Sequence, residues 1–271
     1  MPSRPLHAFF ASALVIALCL PTLHALGAQG EYNPLVYERL EVTARVSEDG
    51  AVTVTVRATL RNDGRVPVVP GYGKLPVSGI RQRSAGGLPL PGQRRVNLSV
   101  TVLSARDLTR NVDMEVVPLW ENGSLVLRYS LWQPLRPGQR ESFEFSFRIE
   151  NGVARGVLFD EFAFGIGPIS NRVERGRVVI FPPAGSRVTY ASPGPGSRGE
   201  SVEWDLSGLP EGGRVRVWVE FSPLPLPMLP IKGYLVFWGA LIVVMLVLIA
   251  SRALRRSEGR RPRLAPRARP P

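Results

Sequence analysis

From Leu35 onward the chain alternates apolar and polar side chains with a period of two. VTVTVRATL at 52–60 and SFEFSFRI at 142–149 are the clearest runs, and this period puts alternate residues on opposite faces of a β-strand. Helical periodicity is nearly absent. Turn sequences punctuate the runs at Asp49-Gly50, Asp63-Gly64, Asn122-Gly123, Pro137-Gly138, Asn151-Gly152 and Glu211-Gly212-Gly213. Residues 35–46 and 51–62 therefore predict a hairpin closed through SEDG. Strands of this length with turns at this spacing predict an all-β fold of sandwich type.

Two uninterrupted apolar stretches depart from the alternation. The first, residues 8–20, follows Arg4, is broken by Pro21, and leads to the small residues Ala25, Gly27 and Ala28. It is too short to cross a bilayer and reads as a secretory signal, residues 1–28, with an uncleaved signal-anchor helix as the alternative. The second, GYLVFWGALIVVMLVLIA at 233–250, carries no charge and spans about 27 Å at 1.5 Å per residue, the thickness of a hydrocarbon core. Tyr234 and Trp238 stand at its start, and Arg252, Arg255 and Arg256 follow its end. Aromatic rings at one interface and arginines beyond the other predict a single-pass anchor in the cell membrane, with residues 29–230 outside and the C-terminus cytoplasmic. The expected partner common to every copy is thus the lipid bilayer.

A pattern recurs within the β region. Tyr129, Leu131, Leu135 and Gly138 are matched, with one residue of slippage, by Trp204, Leu206, Leu209 and Gly212, and an alternating strand follows each set. Read as two sheet closures, the repeat predicts two sandwiches, residues 31–150 and 151–222, with one continuous sandwich as the alternative. The W-x-L-x-x-L-x-x-G pattern before a last strand resembles the immunoglobulin-like modules repeated on bacterial and archaeal surface proteins. That resemblance covers about 25 residues per copy and implies a fold, with no functional residues attached. Residues 223–232, with Pro223, Pro225, Pro227 and Pro230, predict a polyproline II spacer, which could hold the last domain up to about 28 Å from the bilayer at 3.1 Å per residue. The Pro/Gly-rich stretch 181–200 predicts a long exposed loop.

The net charge of +12 changes little, because the tail from 252 to 271 carries eight arginines against one glutamate. That tail predicts a disordered basic segment, 251–271, lying near anionic headgroups. The folded part is nearly neutral, which argues against nucleic acid as a partner. The sole cysteine, Cys19, and both histidines, His7 and His24, fall within the signal segment. A mature chain beginning near Gln29 then has no disulfide, no thiolate nucleophile, no imidazole base and no ordinary zinc site. No small-molecule cofactor is expected.

The remaining chemistry is sparse. Asp107, Asn111, Asp113 and Glu115 gather four oxygen donors, but without the spacing or glycine of a calcium loop. Asp160 and Glu161 are strand neighbours and point to opposite faces, so they form no facing acid/base pair, although carboxylates from separate strands could converge. Gly71 to Lys74 lacks phosphate-loop spacing and reads as a tight turn. Asn97-Leu98-Ser99 and Asn122-Gly123-Ser124 are glycosylation sequons, with Asn97 and Asn122 as the acceptors. Trp120, Tyr129, Trp132, Trp204 and Trp218 fit core packing better than a ligand platform. By subtraction, the sequence predicts a non-enzymatic surface protein with an interaction or structural role. The alternatives are an accessory subunit bound to a membrane or envelope protein and, less favoured, a carboxylate-based glycan-processing enzyme.

Overall fold

The computed structural model describes residues 33–85, 88–96, 98–121, 124–156 and 158–258. The expected signal segment, residues 1–28, the sequon residues Asn97 and Asn122, and the tail from 259 onward lie outside the described residues. The first half supplies β1 (Leu35–Val46), β2 (Val52–Asn62), β3 (Gly71–Ala85), β4 (Leu88–Val96), β5 (Ser99–Asp107), β6 (Val112–Asp113), β7 (Val116–Glu121), β8 (Ser124–Leu131) and β9 (Arg140–Glu150). The second half supplies β10 (Val153–Ala154), β11 (Asp160–Ile166), β12 (Val173–Phe181), β13 (Arg187–Ser192), β14 (Ser197–Arg198), β15 (Val202–Asp205) and β16 (Val215–Ser222), followed by the helix α1 (Gly233–Glu258).

These strands form two sheets, ordered β14-β15-β12-β1-β2-β9-β5-β6 and β13-β16-β11-β3-β8-β7, with β4 added to β3 and β10 to β11. The predicted β1–β2 hairpin forms from Leu35 opposite Asn62 to Val46 opposite Val52, with one register shift between Tyr37 and Arg39, and Gly50 turns it at a φ of 86°. Only a residue without a Cβ adopts that conformation cheaply. Alternation then does what it predicts. On the first sheet Val42, Val56 and Phe145 line up across three strands on the inner face, and Phe143, Phe145 and Phe147 stack along β9 with centroids 6.3 and 6.4 Å apart. The opposite parity carries Thr55 to Ser146 and Thr59 to Ser142 hydroxyl bonds of 2.9 Å, with Arg57 donating to Glu144 between them. The second sheet contributes Leu127, Tyr129, Phe164, Val217 and Val219 to the same core. Tyr129 lies 4.8 Å from Phe143 across the gap, and its hydroxyl meets that of Tyr37. Each fully buried aromatic or branched side chain contributes about 1.5 to 3 kcal/mol of transfer free energy.

The division at Asn151 is not followed. Strands β12 and β15 from the second half pair into the sheet of β1, β2 and β9, while β3, β7 and β8 from the first half share a sheet with β11 and β16. Strand β12 even runs parallel to β1, Val178 opposite Val42. Residues from both halves enter one hydrophobic core, so the chain from Leu35 builds a single pair of face-packed sheets. The internal repeat has a different meaning from the expected one. In each copy the aromatic and the first leucine are buried, and the glycine turns at positive φ, 74° at Gly138 and 75° at Gly212. The next strand then enters the opposite sheet: β8 to β9 crosses one way and β15 to β16 the other. The pattern marks an arch between sheets. Neither following strand closes a sheet, since β9 lies between β2 and β5, and β16 between β11 and β13.

The stretch 181–200 is also corrected, because it contains β13, which flanks β16, and β14. Val188 and Ala191 turn to the core once a register shift between Val188 and Tyr190 resets the parity. Gly71 to Lys74 is likewise the start of β3, not a turn. Helix α1 runs past the expected boundary to Glu258 and carries Arg252, Arg255 and Arg256 on helical backbone. Its segment Leu235–Arg255 is long and apolar enough to cross a bilayer, and none of its apolar stretch is buried within the described protein.

Candidate functional site

The junction between sheet and helix is one of two places where buried charge gathers. On β16, Val217, Val219 and Phe221 point to the core, so Trp218 and Glu220 point to the outer face of the second sheet. On β11, Phe162 and Phe164 point in, and Glu161 and Ala163 point out. Antiparallel register sets Glu161 directly opposite Glu220 and Ala163 opposite Trp218. Two carboxylates thus share one face of adjacent strands, the convergence that neighbours in a single strand cannot achieve.

The chain after β16 folds back over this face. Leu224 N–H donates to Ser222 Oγ at 3.1 Å, and that hydroxyl donates to Leu158 O. Leu229 N–H donates to Thr189 O at 2.8 Å, beside the edge strand β13. Lys232 then lies over the Trp218 ring, Nζ 3.0 Å from its centroid, and 4.0 Å from Glu161 Oε1. One residue on, Gly233 N–H donates to Glu220 Oε1 at 2.8 Å, and the same oxygen accepts from Thr189 Oγ1 at 2.7 Å. A carboxylate therefore receives the first amide of α1, where the helix dipole favours negative charge. The approach requires glycine, since a Cβ on Gly233 would stand 2.7 Å from both Glu220 Oε1 and the Phe159 ring. The expected stiff spacer at 223–232 is thereby corrected: the segment is a loop whose two ends meet at Glu220.

Burial dominates the electrostatics. It pushes the Glu161 carboxyl up to about 7, a rise opposed by Lys232 and helped by Glu220, and it pulls the Lys232 ammonium down to about 8. Taking either charge out of water costs free energy that a partner offsets only in part. A second buried acidic pair lies elsewhere in the first sheet. Glu141 on β9 sits beside Asp107, and burial together with the neighbouring Asp107 carboxyl raises its own carboxyl to about 7, while Arg110 Nη2 lies 2.9 Å away. Asp107 Oδ1 accepts the amides of Thr109 and Arg110 at 2.9 and 3.1 Å.

The other sequence candidates are accounted for by these contacts. Asp107 is turned into its own loop, away from the role of cation ligand, and Asp113 and Glu115 are exposed. No group of three or more His, Cys, Asp or Glu among the described residues is placed to hold a metal ion. Asp160 accepts from Gly156 N–H and faces Arg155, on the opposite side from Glu161. Lys74 is paired with Glu121. Of the aromatics, Tyr129, Trp204 and Trp218 are buried, whereas Trp132 is 57% and Trp120 53% exposed. Trp132 meets Tyr72 edge-on at 4.7 Å, and the Arg128 guanidinium covers Tyr72 at 4.6 Å. Sequence reasoning missed Glu220 and Lys232. The available signals were a glutamate on the outward parity of VRVWVEF and a lysine, one of two in an arginine-rich chain, just before the apolar span.

No family model matches the chain. An uncharacterized protein of Methanocaldococcus jannaschii, MJ1395, is 26% identical over 145 residues, which cover 54% of this chain and all of that protein. Among solved structures, the M1 zinc metallopeptidase from Deinococcus radiodurans aligns with a TM-score of 0.38 and 13% identity, over 69% of this chain and 42% of that one. Leukotriene A4 hydrolase from Saccharomyces cerevisiae aligns at 0.40 and 8%, over 72% and 31%. The chain spans less than half the length of these structures, and likeness at such TM-scores carries no argument about activity.

Proposed function

We propose that the protein is a membrane-anchored extracytoplasmic β-sandwich module with a non-catalytic, interaction or structural role at the cell surface. The observation that carries this reading is the junction: an apolar helix with no protein cover begins on the amide held by Glu220 of the last strand. Such a helix needs an apolar solvent, and the bilayer supplies one. The orientation follows the arginines at its C-terminal end, with the sandwich outside and the tail in the cytoplasm. The finer assignment, an immunoglobulin-like sandwich, is supported by two face-packed sheets joined by crossing arches.

A non-catalytic role is supported by the state of the converging carboxylates. Glu220, Glu141 and Asp107 are all buried, and a glycan-processing pair must instead face a cleft that admits sugar and water. The exposed Tyr72–Trp132 pair, at the end of the sandwich away from α1, favours contact with a protein partner, since aromatics with a nearby arginine are enriched in interfaces. Crosslinking in native membranes tests this. A partner recovered with the wild type and lost with Trp132→Ala, at unchanged membrane level and melting temperature, supports the reading. Identical recovery from both contradicts that surface as the contact.

A further inference from the structure

The loop that joins sheet to helix has an unusual composition for an exposed segment. Residues 223–232 comprise four prolines, Leu224, Leu226, Met228, Leu229, Ile231 and Lys232. Its one polar side chain, Lys232, is turned back onto Trp218 and Glu161. Met228 packs on the sandwich core, while Leu224 and Ile231 are exposed. Backbone donors are also few. The four prolines have none, and the amides of Leu224, Leu226 and Leu229 are bonded to Ser222 Oγ, Leu224 O and Thr189 O.

A segment with exposed apolar side chains at both ends and most of its donors removed or paired is poorly suited to water and well suited to the boundary between headgroups and acyl chains. Its position agrees. Ile231 is two residues from Gly233 and so within about 7 Å of the helix start, and Leu224, held by Ser222, is four residues beyond Glu220. The headgroup layer is itself about 5 to 8 Å thick on each side of the hydrocarbon core. We propose that residues 223–232 form an interfacial foot: Leu224 and Ile231 insert into the outer leaflet at headgroup depth and seat the sandwich on the bilayer surface. The partner is lipid, engaged through apolar contact and not through charge. The inference rests on the membrane-anchor reading above, because the foot lies at the bilayer only if α1 spans it.

The test uses the full chain in phosphatidylcholine nanodiscs, in a Cys19→Ser background, with an environment-sensitive NBD probe on single cysteines. Leu224→Cys and Ile231→Cys report the foot, Met245→Cys the middle of the helix, and Val66→Cys an exposed apolar residue at the far end of the sandwich. Nitroxides are carried either on lipid headgroups or deep on acyl chains. The foot predicts blue-shifted emission at 224 and 231, with severalfold stronger quenching by the headgroup nitroxide than at 66. Water-like probes at 224 and 231, together with deep quenching at 245, overturn the foot and leave the anchor intact. Absence of deep quenching at 245 overturns the anchor, and the foot with it.

Discussion

Glu161 shows how one residue acquires a property its sequence neighbours do not announce. Strand parity alone separates it from Asp160, which is the more exposed of the two and faces Arg155. Packing of the returning loop then buries Glu161 and raises its carboxyl to about 7. Between about pH 4.5 and 7 the folded protein holds this proton more tightly than the unfolded chain, so stability falls as pH rises through that window. Glu141, also raised to about 7, acts in the same direction. Lys232, lowered to about 8, gives the opposite slope above that pH, because the folded state disfavours its charge. Between about pH 5 and 10, these three groups together place the minimum of stability near pH 7 to 8. A shift of this size corresponds to on the order of 3 kcal/mol per carboxyl. Thermal melts in detergent should give a higher midpoint at pH 5 than at pH 7.5, with the difference reduced in Glu161→Gln. An unchanged difference in the variant would assign the effect elsewhere.

At the scale of elements, hairpins and strand parity were legible because they depend on local alternation. The 35–62 hairpin forms with the expected boundaries, since every second residue from Leu40 to Val46 has a core to enter. Elements fixed by distant partners were not legible. Strand β13 exists because β16 offers it an edge, and Gly71 to Lys74 is extended because β8 lies beside it. Gly73 makes the point most sharply. It pairs with Tyr129, and a Cβ there would come 1.9 Å from the Tyr129 ring, which occupies the space above the glycine backbone. That requirement reads in the sequence only as a glycine. Gly73→Ala should displace the ring and disturb its bond to Tyr37, lowering stability by about 2 to 4 kcal/mol. Denaturant unfolding of the full chain measures this, and a loss below about 0.5 kcal/mol would mean that the ring relaxes freely.

The whole molecule was legible in class but not in division. Apolar alternation without helical period gave a β protein, and the length of the last apolar run gave its helix. The two-domain reading failed because a short repeat says where strands stop and not which sheet takes the next one. Tyr129 and Trp204 begin equivalent arches that cross in opposite senses, and this binds both halves into one core. The junction was invisible for a related reason: prolines predicted an extended spacer, whereas Glu220 and Thr189 draw the loop back onto the sheet. The same contacts join the last strand to the start of the helix.

The most direct test is labelling of single-cysteine variants, in a Cys19→Ser background, with a membrane-impermeant maleimide on intact cells. A membrane-anchored sandwich predicts that Val66→Cys is labelled at once, Met245→Cys only in detergent, and Arg256→Cys only after permeabilisation. Labelling of Met245→Cys on intact cells, or protection of Val66→Cys, would contradict it.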